Sequence, residues 1–246
     1  TGFGQTGPYA HRAGYDFIIQ GMGGAMSLTG EPDGAPQKAG VAYADIFTGA
    51  YATVAILAAL QRRERIGRGG HIDMALLDTQ VAVLANQALN WMVSGTVPHR
   101  LGNGHANLAP YQSFATRDGD VIIAVGNDRQ FGKLCANLGC EGLAGDARFA
   151  SNPARVTHRD ALIPILWGLI AGRGMAELSL ALDEAGIPAG PINPVDKVFA
   201  DPQIVARGLM IDGSGNPDHI PGLASPIVID GERMVSGTAR PRLGSG

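Results

Sequence analysis

A mixed α/β or α+β fold is what this sequence predicts, and three observations carry the prediction. From Ile46 to Arg63 the chain is apolar, with small residues at helical spacing. The phrase "YQSFATRDGDVIIAVGN" reads as two strands joined by a turn at Asp118-Gly119. Helical patterns resume after it, at about 158–171 and 175–185, so helices and strands are interleaved.

Each element has a local reason. The first forty residues are rich in Gly and Pro and predict loops and short helices. In the 46–63 helix, Gly49, Ala50, Ala52, Ala55, Ala58 and Ala59 offer small surfaces for close packing. Arg62, Arg63 and Arg65 suit the negative pole at its end, and Gly67 suits its left-handed stop. "GGHIDMAL" predicts a short strand, after which Asp78 caps a long helix to about Val93. "RLGNGHANLAPY" is a polar, glycine-containing break and the best domain boundary. Asn127 or Asp128 caps a helix running to about Leu138, and the helix from 175 stops at Gly186. "GIPAGPINPVDKVFADPQ" is a proline-punctuated connector, and the last forty residues read as extended and loop-rich.

Composition removes several classes of function. The 246 residues are 45% hydrophobic, enough for a sizeable core in one large or two ordinary domains. A formal charge of −3 leaves no electrostatic footprint for nucleic acid. Cys135 and Cys140 make neither a disulfide framework nor a zinc site, and the six histidines show no metal-ligand spacing, so no metal is expected. The uncharged stretch from Thr79 to Pro98 has membrane-spanning length. Gln80, Asn86, Gln87 and Asn90 make it a poor membrane helix, so it reads as a buried one. The opening "TGFGQTGPYAHR" lacks the basic start and apolar core of a signal peptide. With Thr1 in first place and "RPRLGSG" as a loop-like close, the chain is expected to be a piece of a longer protein.

Asp45 is the residue that breaks its surroundings, an acid inside the apolar run "VAYADIFTGAYATVAILAAL" that reads as buried core. One reading makes it the N-cap of the helix beginning at Ile46. The other uses the same geometry, since a carboxylate kept ionised at a helix N-terminus can attack a thioester carbonyl. Tyr15 and Asp16 precede another apolar turn. Packing and capping are their plain roles; orienting a nucleophile or a substrate is the functional one. The "GMGG" cluster with Gly23 and Gly24, and "GNGHAN" with His105, follow no strand in a dinucleotide-binding frame, and His105 reads as a surface histidine. No G-x-S-x-G elbow is present.

Read in order, "GFGQTGPYAHRAGYD", "GGAMSLTG", "GVAYADIFTGAYA" and "LAALQRRERIGRGGHIDMALLD" closely resemble the formyl-CoA transferase family, the class III CoA-transferases. "GNGHANLAPYQSF", "AVGNDRQF", "GIPAGPIN" and "VFADPQIVARGL" continue the match, which is most like the succinyl-CoA:dicarboxylate branch. The resemblance implies that Asp45, in the "A-D-x-x-T-G" phrase, is the catalytic nucleophile. It would attack an acyl-CoA thioester to give an acyl-aspartyl anhydride, pass the acyl group to an acceptor carboxylate, and let a further exchange return CoA. An apolar setting would keep water from the anhydride. In the related α-methylacyl-CoA racemases a histidine stands where this chain has Tyr15, and a phenol is a poor proton shuttle at neutral pH. That departure argues against a racemase-like isomerase; a non-catalytic fragment keeping only assembly surfaces is the remaining alternative.

The same resemblance gives Asp16 a substrate-positioning role and brings the Gly23 and Gly24 amides near the acyl group. Arg12 or Lys38 would pair the distal carboxylate of a dicarboxylate. It also implies a Rossmann-like large domain of which residues 1–101 are the C-terminal part, a small α+β domain at 102–200, and a return linker at 201–246. CoA enters as a thioester substrate, with no permanently bound cofactor. The expected assembly is an interlocked homodimer, without nucleic acid or membrane, in the cytoplasm or a mitochondrial matrix.

Overall fold

Twelve helices and seven short strands make up residues 1–214 and 220–234, the part of the chain that this computed structural model describes. The first half is helical: α1 (Asp16–Met22), α2 (Ala25–Leu28), α3 (Tyr43–Ile66), α4 (Leu76–Ala82) and α5 (Ala85–Ser94). A hairpin follows, β1 (Tyr111–Ala115) and β2 (Asp120–Ala124), then α6 (Asp128–Leu138), α7 (Gly142–Gly145), α8 (Asn152–Thr157), α9 (Arg159–Ile170) and α10 (Met175–Glu184). Next come β3 (Ala189–Pro191), α11 (Val195–Ala200) and α12 (Pro202–Ala206). Two minimal hairpins close the described part, β4 (Met210–Ile211) with β5 (Gly222–Leu223) and β6 (Val228–Ile229) with β7 (Glu232–Arg233). The mixed class predicted from the sequence is borne out.

The main core belongs to the second half. An antiparallel sheet in the order β1-β2-β3 pairs Phe114 with Val121 and Ile123 with Ala189. Alternation along β2 turns Val121 and Ile123 inward, both fully buried. They meet Phe131, Leu134 and Leu138 of α6, Leu162, Leu166 and Ile170 of α9, and Leu178 and Leu182 of α10. Arg155 is buried in this region. Its Nε donates to Ala109 O at 2.6 Å, Nη1 to Phe149 O at 2.9 Å and Nη2 to Asp128 Oδ1 at 2.8 Å. Its guanidinium lies 4.5 Å from the Phe131 ring centroid.

A smaller core, Phe3, Ile19 and Ala44 with Leu76 and Leu77 against it, joins α1, α3 and α4. It positions the candidate site. Leu76 and Leu77 donate to the carbonyls of Thr1 and Gly2 at 2.9 and 3.0 Å, which fixes the first residues beside the start of α4.

Several sequence expectations are corrected here. Asp45 is not an N-cap, because α3 starts at Tyr43 and Ala42 holds the cap position without a side-chain bond. Asp78 likewise lies inside the first turn of α4. The long helix from Asp78 is two helices, broken at Val83-Leu84 with Ala85 at φ +48°. Only Thr79 and Gln80 of it are buried, and α5 has no buried residue. "GGHIDMAL" forms no strand. The apolar run of α3 is not core within this chain, since Ala44 alone is buried, where α1 and α4 pack on the first turn. The phrase "RPRLGSG" lies outside the described residues.

Candidate active site

Three helices meet at the N-terminus of α3. α1 starts at Asp16, whose side chain bridges its own helix and α3. Its Oδ1 accepts the N–H of Ala44 at 2.9 Å and that of Asp45 at 3.4 Å. The capping that α3 lacks from Ala42 therefore arrives from another helix. The second oxygen, Oδ2, accepts Gln20 Nε2 at 2.6 Å. Gln20 is fully buried, and its Oε1 takes the Ala39 N–H at 2.9 Å. Asp16 and Gln20 are four residues apart on α1, so they share one face. The chain Ala39–Gln20–Asp16–Ala44 ties the loop before α3, helix α1 and helix α3 into one unit.

Asp45 is the third residue of α3, and its side chain is exposed. It stands in the first turn, where the helix dipole favours a carboxylate. Thr48 Oγ1, three residues on, donates back to Ala44 O at 2.7 Å, which leaves Asp45 free of it. Tyr15 precedes Asp16 and is 73% exposed. The outer face of α1 and α2 carries an open apolar groove lined by Phe17, Ile18, Met22 and Met26.

The other expected site residues divide. The Gly23 and Gly24 amides both donate within the chain, to Ile19 O at 2.7 Å and Gly21 O at 3.4 Å. What Gly23 supplies is close approach: a Cβ there would stand 2.2 Å from Gln80 Cγ. Lys38 Nζ donates to Ala39 O at 3.1 Å, on the segment that Gln20 holds. Arg12 is turned onto aromatic rings, 4.6 Å from the Tyr9 centroid and 5.3 Å from that of Phe3. His105 accepts the Asn107 N–H through Nδ1 at 3.0 Å and packs against Tyr111. Among the described residues no three His, Cys, Asp or Glu side chains come together to hold a metal.

Two residues of the site escaped the sequence reading. Gln20 had a usable signal, a glutamine four residues after Asp16 on a predicted turn. Gln80 had none. It is fully buried, and neither oxygen nor nitrogen of its amide has a hydrogen-bond partner among the described residues.

Comparison with known proteins settles which family this architecture serves. The model of CoA-transferase family III matches residues 1–246. The chain belongs to that family. It is 51% identical over 245 residues to the succinate–glutarate CoA-transferase of Agrobacterium fabrum, covering 99% of this chain and 61% of that protein. The succinyl-CoA:glutarate CoA-transferase of Mus musculus is 41% identical over 212 residues, covering 86% of this chain and 49% of the mouse protein. The fold is also that of a CAIB/BAIF family protein from Brucella suis, at 54% identity and a TM-score of 0.83, covering 100% of this chain and 64% of that one. The chain thus spans about half to two thirds of the length of these family members.

Proposed function

We propose that the protein containing this chain transfers CoA between an acyl-CoA thioester and a carboxylic acid, probing the thioester with Asp45 as nucleophile. The observation that carries the reading is the clamp of Asp16 on the N-terminus of α3, which fixes the turn that presents Asp45. A carboxylate oxygen of Asp45 attacks the thioester carbonyl, the C–S bond breaks, and CoA leaves as thiolate. The acceptor carboxylate then attacks the acyl carbonyl of the acyl-aspartyl anhydride, its C–O bond to Asp45 breaks and Asp45 is freed; the CoA thiolate attacks the acceptor-derived carbonyl of the resulting mixed anhydride, and the donor leaves as its carboxylate. The names of the Agrobacterium and mouse relatives favour a dicarboxylate acceptor. On this reading Tyr15 and Asp16 orient the nucleophile or substrate, while Lys38 and Arg12 are the cations to test against the distal carboxylate.

An anhydride needs shelter from water. The exposed side chains of Ile46, Phe47, Val54 and Leu57 on α3 offer an apolar surface for such a cover. Helix α3 is long and apolar enough by length and composition to cross a membrane. We read it instead as a protein-packing helix, because Gly49, Ala52, Ala55 and Ala59 give it small faces for close approach. The cover on this view is further polypeptide of a longer chain and a second copy in a homodimer, with domains at 1–101, 102–200 and 201–246. The free thiols of Cys135 and Cys140 fit a reducing cytoplasm or matrix.

The test is intact-mass analysis of the whole protein after succinyl-CoA and hydroxylamine. A hydroxamate mapped to Asp45, absent in Asp45→Ala, is expected. CoA binding with no hydroxamate at Asp45 would remove the anhydride route.

A further inference from the structure

Helix α6 ends in a turn of unusual composition. Gly139 sits at φ +68°, its N–H donates to Ala136 O at 3.3 Å, and the Cys140 N–H donates to Cys135 O at 2.8 Å. This pair of bonds is a Schellman closure, in which the residue after the glycine packs against the one four residues before it, ordinarily as an apolar contact. Here both contact positions are cysteine. The two thiols are neighbours across the turn, and neither is in a disulfide. Cys135 is fully buried in the main core, with Cys140 partly buried against it. Of the two residues, only Cys140 keeps surface exposed to solvent.

We propose that Cys135 and Cys140 form a dithiol modification site, at which a peroxide closes an intrachain disulfide across the C-terminal turn of α6. The Cys140 thiolate attacks one peroxide oxygen and the O–O bond breaks. The other oxygen leaves as hydroxide and takes up a proton as water, so Cys140 becomes a sulfenic acid. The Cys135 sulfur then attacks the Cys140 sulfur and loses its proton. The S–O bond breaks, hydroxide leaves with that proton as a second water, and the S–S bond forms. Two thiols lose two electrons in all, and one peroxide gains them. The backbone hydrogen bond from Cys140 N–H to Cys135 O at 2.8 Å holds the two residues face to face across one tight turn, the arrangement a short disulfide needs.

Burial sets the kinetics. It pushes the Cys135 thiol up to about 12, with the neighbouring Cys140 sulfur adding to the effect. Burial also raises the Cys140 thiol; the neighbouring Cys135 lowers it in part, and Glu141 raises it slightly. The thiolate that must attack first is scarce at neutral pH, so the first step is slow and the second, between neighbours across one turn, is fast. The rate should rise about tenfold per pH unit while Cys140 remains mostly protonated. Asp45 and its three-helix junction share no residue with this site.

Both cysteines fall in one tryptic peptide, Leu134–Arg148, which makes the test direct. The whole protein is treated with hydrogen peroxide at about pH 7 and about pH 9, denatured, alkylated and digested. The expected peptide is unalkylated and two hydrogens lighter, forms faster at the higher pH, and returns to two alkylated thiols after dithiothreitol. In Cys135→Ser, Cys140 should stop as a dimedone-trapped sulfenic acid; in Cys140→Ser, Cys135 should stay alkylatable. A wild-type peptide that keeps both thiols, or that carries oxidised Cys140 beside a free Cys135, would overturn the proposal.

Discussion

The carboxylate of Asp16 caps the helix that carries Asp45, accepting the Ala44 N–H at 2.9 Å and the Asp45 N–H at 3.4 Å. One acid thus fixes the backbone under another. The arrangement separates two tasks that a single N-cap residue would have to combine. Asp16 spends its oxygens on backbone and on Gln20, while Asp45 keeps its own carboxylate exposed in the first turn. On the proposed reading, a carboxylate that attacks a thioester is better placed when its lone pairs are not committed to structure.

Removing the clamp should therefore loosen α3 as well as α1. Asp16→Ala loses a cap worth about 1 kcal/mol and removes the 2.6 Å acceptor of the buried Gln20 Nε2, leaving it only Val41 O at 3.5 Å, for a total of about 2–3 kcal/mol. Asp16→Asn keeps an oxygen for the Ala44 N–H and should fall between. Urea unfolding of the three proteins, with hydroxamate yield at Asp45 beside it, checks the order. Equal stability of Asp16→Ala and wild type would mean that the clamp holds nothing.

Much of the second half was legible because its signals are local. Asn127 caps α6 through Gln130 N–H at 2.9 Å, Gly139 stops it, and the hairpin turns at Asp118-Gly119, all from adjacent turn and cap chemistry. The site was less legible. Asp45 looked like its own cap because the real one comes from 28 residues away. The break at Val83-Leu84 contains neither Gly nor Pro, so no breaker marks it. Strand β3 exists only through its pairing with β2, and "AGP" carries no strand pattern of its own. The apolar run of α3 spoke of burial, but among the described residues it buries only Ala44, in its first turn.

Gly23 and Gln80 should prove coupled. A methyl at Gly23 would meet Gln80 Cγ at 2.2 Å and Ile19 O at 2.8 Å, so Gly23→Ala should cost about 1–3 kcal/mol. Gln80→Ala opens room for that methyl, and the double variant should lose clearly less than the sum of the singles. Gln80→Leu gives a separate reading. With no partner for the amide among the described residues, the apolar replacement should be neutral or stabilising by about 1 kcal/mol. A Gln80→Leu protein that is stable yet slow in CoA transfer would show instead that the amide serves the reaction.

Arg155 should matter far more than its ion pair. The guanidinium satisfies the carbonyls of Ala109 and Phe149 besides Asp128, whose side chain is 56% exposed. Arg155→Met leaves two acceptors unpaired and should cost about 3–5 kcal/mol. Arg155→Lys, a single ammonium in place of a planar fork, should lose about 2 kcal/mol. Asp128→Asn should lose less than about 1 kcal/mol, as an exposed partner does. Equal losses for Asp128→Asn and Arg155→Met would assign the effect to the ion pair.

The acid limb of stability should be shaped by Asp118 and Asp146. The Met175 N–H, donating at 2.7 Å from the first turn of α10, holds the Asp118 carboxyl below the usual range, with Thr116 and Arg117 adding to it. Hydrogen bonds from Arg148 hold Asp146 down to about 2. Both folded-state values lie below the unfolded value of about 3.9, so their stabilisation is fully present above that pH and disappears as pH falls through the folded values. For Asp146 the window runs from about pH 4 down to about pH 2. Thermal unfolding across that window should show wild type falling more steeply than Asp118→Asn or Asp146→Asn, which have no charge left to lose there. The Asp118 variant should also be less stable at neutral pH, because a neutral acceptor holds the start of α10 more weakly than a carboxylate. Parallel acid limbs in all three proteins would mean that neither contact persists in solution.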